Sequence, residues 1–422
     1  MKIHARGEPG YEQALAALAR RGDADLERVE PAVREILAAV RERGDAALRE
    51  LTARFEGREL GAIRLDDATW RREAKAVTGD VRAMLAQAAA RIRRYHEHQR
   101  DPGFRYTEGG VELGLRVSPV RAAGVYAPGG KARYPSTVLM TAIPAAVAGV
   151  ERIVLATPRP TPEILAAAEL SGVTEIIDAG GAQAIGALAY GTESVAAVDK
   201  IVGPGNLYVA CAKRLVFGRV GIDSIAGPSE ILVVADDAAD PRVVAADLLS
   251  QAEHDEDAYA LLVTISRAQA DAIAREVQAQ LATLPRHEIA SVSIRNNAAC
   301  FVAGDLVEAA RVADRLAPEH LALAVADPDA VLEGIRAAGA AFLGYFTPEA
   351  AGDYAAGPSH VLPTGGAAAF SSPLGVWDFV VRTSLIRYDQ ASIRAQADLL
   401  ESLARLEGLE GHARAVHARR AR

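Results

Sequence analysis

Along the first third of the chain, apolar positions recur at helical spacing. Val81, Met84, Leu85, Ala88 and Ile92 fall three and four residues apart and predict a helix over Asp80–His98; two more are predicted over Pro31–Arg43 and Asp45–Phe55. From Gly114 to Val125 the pattern turns to short apolar runs. Strands are then predicted at Ala123–Tyr126, Ile153–Ala156, Thr174–Ile177, Lys200–Val202 and Arg219–Ile222, with helices between them at Ser136–Ala148, Pro162–Leu170, Ala182–Ala189 and Asn206–Phe217. In Thr161-Pro162-Glu163 a capping hydroxyl precedes a proline at the first helical position. The stretch from Glu230 to Thr364 repeats this style, with strands Ile231–Ala235, Ala258–Thr264 and Leu321–Val325. Its helices open at Asp240-Pro241, Arg267 and Asp327-Pro328, and another, Leu306–Leu316, stops before Pro318. The last 45 or so residues read as polar helix with too little apolar surface to fold alone, and so as a tail that packs on something else.

The fold class is therefore α/β, with two Rossmann-like α/β domains built on parallel sheets, a helical N-terminal segment and a small C-terminal helical tail. No low-complexity segment or repeat is visible. Composition narrows the function classes. The 422-residue chain carries 47 Lys+Arg against 55 Asp+Glu, a net charge of −8, and half its residues are apolar, the make-up of a globular protein with a sizeable core. A net acidic chain lacks the electrostatic footprint of nucleic-acid binding, and the basic stretches Arg91–Arg100 and Arg414–Arg422 are too short to reverse that. No uncharged apolar run of about 18 residues exists, and Met1–Arg21 lacks a signal-peptide core. The expectation is a soluble protein, cytoplasmic by default, with no membrane partner. Cys211 and Cys300, far apart, offer neither a disulfide framework nor a thiolate zinc cluster, so any metal must be held by nitrogen and oxygen. Both cysteines read as buried packing residues.

Candidate chemistry comes in fragments. Glycine-rich turns follow three strands, at Pro128-Gly129-Gly130, Gly180-Gly181 and Gly203-Pro204-Gly205, where this architecture binds nucleotides. Gly203-x-Gly205-x-x-Tyr208 lacks the third glycine of the dinucleotide fingerprint and Gly130-Lys131 does not complete a P-loop, so on spacing alone plain tight turns are the better reading. His4, His96, His98, His287 and His417 have polar or arginine-rich neighbours and are expected on the solvated surface. Gln251 and His254, three apart at a helix end, share one face and could touch one ion; such a pair is more often an ordinary polar helix terminus. Glu319-His320 follows Pro318 at a helix-to-strand junction, where a loop can present two titratable groups to a cleft. Asp353 and His360 lie in the irregular segment 347–364, and His412 closes the run Glu407 to His412 in the tail.

Taken together and in order, these motifs resemble one family. Val125-Tyr126-Ala-Pro-Gly-Gly130, Gly181-Ala-Gln183, Gly203-Pro-Gly-Asn206, Ala226-Gly-Pro-Ser229-Glu230, Ser250-Gln-Ala-Glu-His254, Ala317-Pro-Glu-His-Leu321, Ala351-Gly-Asp-Tyr354, Ser359-His-Val-Leu-Pro-Thr364 and Glu407–His412 closely resemble the histidinol dehydrogenases. The resemblance runs from about Ala122 to His412. It implies oxidation of L-histidinol to L-histidine through L-histidinaldehyde with two NAD, in the last steps of histidine biosynthesis. It also implies one Zn²⁺ per subunit and an intertwined homodimer. Carried over residue by residue, Gln251, His254, Asp353 and His412 hold the zinc, His412 coming from the partner's tail, while Glu319 and His320 form the catalytic acid/base pair. Ser229, Gln251, His254, His320, Asp353, His360, Glu407 and His412 face the substrate, and Tyr126, Gln183 and Asn206 face NAD. The domains implied are an N-terminal arm over 1–20, a metal and catalytic domain over 21–119 with 230–370, an NAD-facing domain over 120–229, and a tail over 371–422 that reaches the partner. A related zinc- and NAD-dependent dehydrogenase of another alcohol is the alternative; the presence of Glu407, His360 and His412 speaks against it, because a substrate without amine or imidazole gives them less to do.

Overall fold

The computed structural model describes residues 1–21, 26–129, 134–225 and 227–420, so Gly130 and Lys131 of the first glycine-rich turn, and Ala226, lie outside the described residues. Two parallel sheets carry the fold. The first has five strands in the spatial order Glu175–Ile177, Arg152–Ala156, Ala122–Tyr126, Lys200–Val202, Gly221–Ile222. The second has six, in the order Lys2–Ala5, Ala299–Val302, Tyr259–Thr264, Glu230–Ala235, His320–Ala324, Ala340–Leu343. In the first sheet, and in the second from Glu230 onward, the first-made strand lies inside and the next two build outward on one side before the chain crosses to the other; Lys2–Ala5 is added at the edge of the second. All five residues of Ala122–Tyr126 and all six of Glu230–Ala235 are buried, because helices cover both faces, and such strands read as continuous apolar runs.

On the five-stranded sheet, Val154, Ala156 and Ile177 face helices Leu26–Glu56, Gly181–Tyr190 and Leu207–Val216. Ile153, Leu155 and Ile176 point the other way, toward helices Asp67–Ala74, Gly79–Glu97, Pro135–Ala148 and Pro162–Ser171. The period-two alternation of the strands thus fills two separate cores. The six-stranded sheet does the same, with helix Pro241–Ala252 on one face and helices Tyr11–Leu18 and Leu306–Leu316 on the other. Helix Leu26–Glu56 breaks at Gly44, whose φ of 51° and ψ of −126° are non-helical. A Cβ there would sit 2.2 Å from the Glu193 carboxylate, so the break between the two expected helices rests on a residue that only glycine fits.

Four expectations need correction. The helices between residues 26 and 97 pack on the five-stranded sheet, so the grouping of 21–119 with 230–370 does not describe the packing. Residues 2–5 are not a free arm; they form the edge strand of the six-stranded sheet, paired with Ala299–Val302. The tail contains a strand, Val380–Tyr388, which with Phe104–Glu108 and Val111–Pro119 makes a third, antiparallel sheet. His96 is fully buried in the stripe Leu85, Ala89, Ile92, His96, its Nδ1 2.8 Å from the Ile92 carbonyl, and His4 is half-buried, stacked on Phe301. The two cysteines are buried as expected. No helix among the described residues is long and apolar enough to cross a membrane.

Candidate active site

A cleft of about 2100 Å³ runs between the two sheets. From the five-stranded side come the ends that follow its strands, at Pro128-Gly129 and Gly203–Asn206. The switch point of the strand order lies between these two loops, which is where ligands settle in open α/β sheets. Gly203 has a φ of 117°, and a Cβ on it would lie 2.2 Å from the Tyr126 carbonyl oxygen. The loop therefore lies close against the neighbouring strand end, where a side chain would not fit. Asn206 caps helix Leu207–Val216, its Oδ1 accepting the Tyr208 and Val209 amides at 3.1 and 3.2 Å. Tyr126 and Gln183, expected to face NAD, are buried and are not part of the cleft lining. The Tyr126 hydroxyl accepts the Gly181 amide at 3.0 Å, and burial pushes its pKa up to about 12.

The six-stranded side contributes the opposite ends of its strands. Helix Leu306–Leu316, capped by Asp305 at 2.7 Å to the Glu308 amide, closes in a left-handed Ala317, φ 42°. Pro318 cannot continue the helix, and the chain enters strand His320–Ala324 with Glu319 and His320 at its start. Both side chains are buried. Nδ1–H of His320 donates to the Glu230 carbonyl at 2.9 Å, which leaves Nε2 3.4 Å from the Glu349 Oε1 and 3.8 Å from the Asp353 Oδ1. The imidazole stacks on Phe342. Burial alone would lower the His320 pKa; the carboxylates of Glu319, Asp353 and Glu349 outweigh it and hold it well above the ordinary value. Glu319 is raised by the same burial. Glu349 is pushed up to about 7, mainly by burial, whereas at Asp353 burial is outweighed by the hydrogen bond to His320 and the neighbouring imidazoles, and the pKa is lowered.

Gln251 and His254, at the end of helix Pro241–Ala252, line the same cleft. Gln251 is 1% exposed, and neither polar atom of its amide has a hydrogen-bond partner among the described residues. A buried amide without partners is costly and points to a missing ligand. Burial lowers the His254 pKa, with the charge of Asp353 acting against it and that of His320 with it. One ligand atom each from His320, Glu349 and Asp353 lie within 4.8 Å of one another, close enough to hold a cation. Nitrogen and oxygen donors at this density fit a divalent ion. His360 is half-buried. Its Nδ1 meets the Asp353 carbonyl at 3.0 Å and its Nε2 the Thr137 hydroxyl at 3.2 Å, so the ring bridges the two halves of the molecule. Ser229 lines the cleft just before strand Glu230–Ala235.

Four expected residues do not line this cleft within the chain: Tyr126 and Gln183, which are buried, and two in the tail. Glu407 and His412 are exposed and line a separate hollow of about 690 Å³ on the tail, beside Leu403 and Leu409. Conversely, the site contains Glu349, which sequence reasoning missed. It sits four residues before Asp353, so the two carboxylates share one face of helix Glu349–Tyr354.

The site sits within a chain that matches known proteins over most of its length. A family model described as histidinol dehydrogenase matches residues 19–420. The histidinol dehydrogenase of Cereibacter sphaeroides is 53% identical over 418 residues, covering 97% of this chain and 96% of that protein. That of Bacillus subtilis is 50% identical over 382 residues, covering 89% and 90%. The crystal structure of histidinol dehydrogenase from Elizabethkingia anophelis superposes with a TM-score of 0.93 at 35% identity, covering 99% of this chain and 98% of the other.

Proposed function

The chain belongs to the histidinol dehydrogenase family and is an oxidoreductase of histidine biosynthesis, and from that premise we propose how its residues oxidise L-histidinol to L-histidine. Glu319 and His320 are the acid/base pair. The observation that carries this assignment is the Nδ1–H bond from His320 to the Glu230 carbonyl, which fixes the tautomer and turns Nε2 to the cleft as the proton acceptor. Unprotonated Nε2 takes the hydroxyl proton, and removing that proton is what releases the hydride of the alcohol carbon. The aldehyde so formed carries no hydroxyl. Water must add before a second oxidation, and Glu319, buried and raised in pKa, takes the proton of that water as its oxygen bonds to the carbonyl carbon. His320 then accepts the hydroxyl proton of the hydrate. His320 passes each proton on to solvent before it acts again, and the balance is one histidinol, one water and two NAD+ giving one histidine, two NADH and three protons.

NAD, when bound, accepts the hydride at each oxidation; its place is the carboxyl edge of the five-stranded sheet, with Tyr126, Gln183 and Asn206 shaping that edge. A divalent ion, Zn²⁺ by family, supplies a fixed positive charge that orients an amino-imidazole substrate. Gln251, His254 and Asp353 would hold it, and the unpartnered Gln251 amide supports that role. Ser229 and His360 border the substrate. Glu407 and His412 enter from the tail of a second copy in an intertwined homodimer; their exposure on a hollow remote from the cleft supports donation in trans. The protein acts in the cytoplasm on a small molecule.

The test is NADH formation from L-histidinol by purified protein before chelation, after it, and with zinc restored. Two NADH per histidinol, lost on chelation and regained with zinc, is the expected result; no NADH from folded, zinc-loaded protein overturns the reading. Donation in trans is read from mixed dimers of inactive His412→Asn and His320→Asn chains. One site of each mixed dimer then carries both lesions and the other neither, so activity returns, and its absence refutes the exchange.

A further inference from the structure

Three connections between the two halves of the molecule meet at one buried carboxylate. Arg21 is the last described residue before helix Leu26–Glu56 of the five-stranded half, and Glu230 is where the chain re-enters the six-stranded sheet. Gly365 lies on the returning segment, between Val361 and Leu374, which are both packed in the five-stranded half. The Arg21 and Glu230 side chains, each 1% exposed, form an ion pair through Arg21 Nε and Glu230 Oε2, with a second bond from Arg21 Nη2 to Oε1 at 2.6 Å. The same Oε1 accepts the backbone amides of Glu319 and Gly365, both at 3.1 Å.

Glu230 also uses its main chain. Its amide donates to Glu319 Oε2 at 2.8 Å, and its carbonyl accepts Nδ1–H of His320 at 2.9 Å. Side chain and backbone of one residue thus fix the peptide that carries Glu319, the Glu319 carboxylate and the His320 tautomer. We propose that Glu230, seated by Arg21, is the positioning residue that holds Glu319 and His320 in register with the cleft. The inference rests on the reading of Glu319 and His320 as the acid/base pair. Glu230 does not face the substrate; it acts through those two residues, and a misplacement of reacting groups by about 1 Å costs on the order of 100-fold in rate.

The test separates positioning from bulk stability. In the double variant Arg21→Met/Glu230→Leu, apolar side chains of similar size replace the buried ion pair, a change that commonly leaves stability intact. It nevertheless removes the acceptor for the Glu319 and Gly365 amides. The expected result is a folded, metal-loaded enzyme whose kcat with L-histidinol is down about 100-fold while KM stays within about threefold, because orientation of the reacting groups changes and ground-state binding does not. Wild-type kcat in this variant overturns the proposal. Glu230→Asp gives a second reading should the double variant not fold: the charge is kept but drawn back by one methylene, with kcat lowered about tenfold at constant KM, and an unchanged kcat counts against the idea. His320→Asn in the same assay keeps the two readings apart. If His320→Asn is slow and the Glu230 variants turn over at the wild-type rate, only the positioning role falls; if His320→Asn itself turns over normally, the acid/base assignment falls.

Discussion

The two parallel sheets share an inside-out strand order, yet they turn opposite ends to the common cleft. The five-stranded sheet offers its carboxyl edge, where helices begin. The six-stranded sheet offers its amino edge, where helices Pro241–Ala252 and Leu306–Leu316 end. Helix N-termini carry partial positive charge and suit phosphates; helix C-termini carry partial negative charge and suit cations and protonated imidazole. Gln251 and His254 sit at one such C-terminus, and Glu319 and His320 follow another. The lesson is that the rule placing ligands at carboxyl ends points to only one side of the cleft, the side proposed for NAD. The proposed acid/base pair lies at the edge the rule ignores, where helix C-termini favour positive charge.

Breaking the amino edge has the largest expected effect. His320→Asn removes the proton acceptor and lowers turnover about 1000-fold while metal content and NAD affinity stay as they are, checked by steady-state kinetics, elemental analysis and NAD titration. Loss of NAD affinity instead would mean that the two edges do not act separately. On the carboxyl edge, Asn206→Ala removes the acceptor of the Tyr208 and Val209 amides. It costs about 1 kcal/mol of stability and raises KM for NAD about fivefold, with no change in bound metal; a KM unaltered in a destabilised protein would confine Asn206 to capping.

The smallest effect sharpens the electrostatic contrast. Burial raises the pKa of Asp247, on helix Pro241–Ala252, to about 6. A carboxyl whose folded pKa exceeds its unfolded one stabilises the fold below the unfolded value, and that contribution is lost as pH rises through about 6. Asp247→Asn is therefore neutral near pH 4 and stabilising by about 1 kcal/mol near pH 8, after discounting for the solvent that reaches this group. Denaturant melts at the two pH values check it, and a gain at both would point to packing.

The comparison also explains what could be read from the sequence. Buried strands such as Ile231–Ala235 and helices such as Leu306–Leu316 stand out because both faces or one full stripe are apolar. The strands Phe104–Glu108 and Val380–Tyr388 are exposed over most of their length, so neither alternation nor an apolar run marks them, and the second reads as polar helix. For His96 the signal was present, since Leu85, Ala89, Ile92 and His96 are four, three and four apart; the neighbouring arginines hid it. At the site, Gln251 with His254 and Glu319 with His320 are legible as neighbours on one element. The Glu230 hub is not, because its partners Arg21, Glu319 and Gly365 stand 209, 89 and 135 residues away, and no local spacing encodes such a meeting.

The edge strand Lys2–Ala5 has a consequence for the order in which the protein can be assembled during synthesis. The five-stranded sheet is complete once Ile222 has been made. The first four strand residues of the chain must wait for Ala299–Val302, and at roughly 5–20 residues per second that separation is about 15–60 s of translation. Throughout that interval the beginning of the chain leaves the ribosome without its partner strand, so the half that carries the acid/base pair is the last to close.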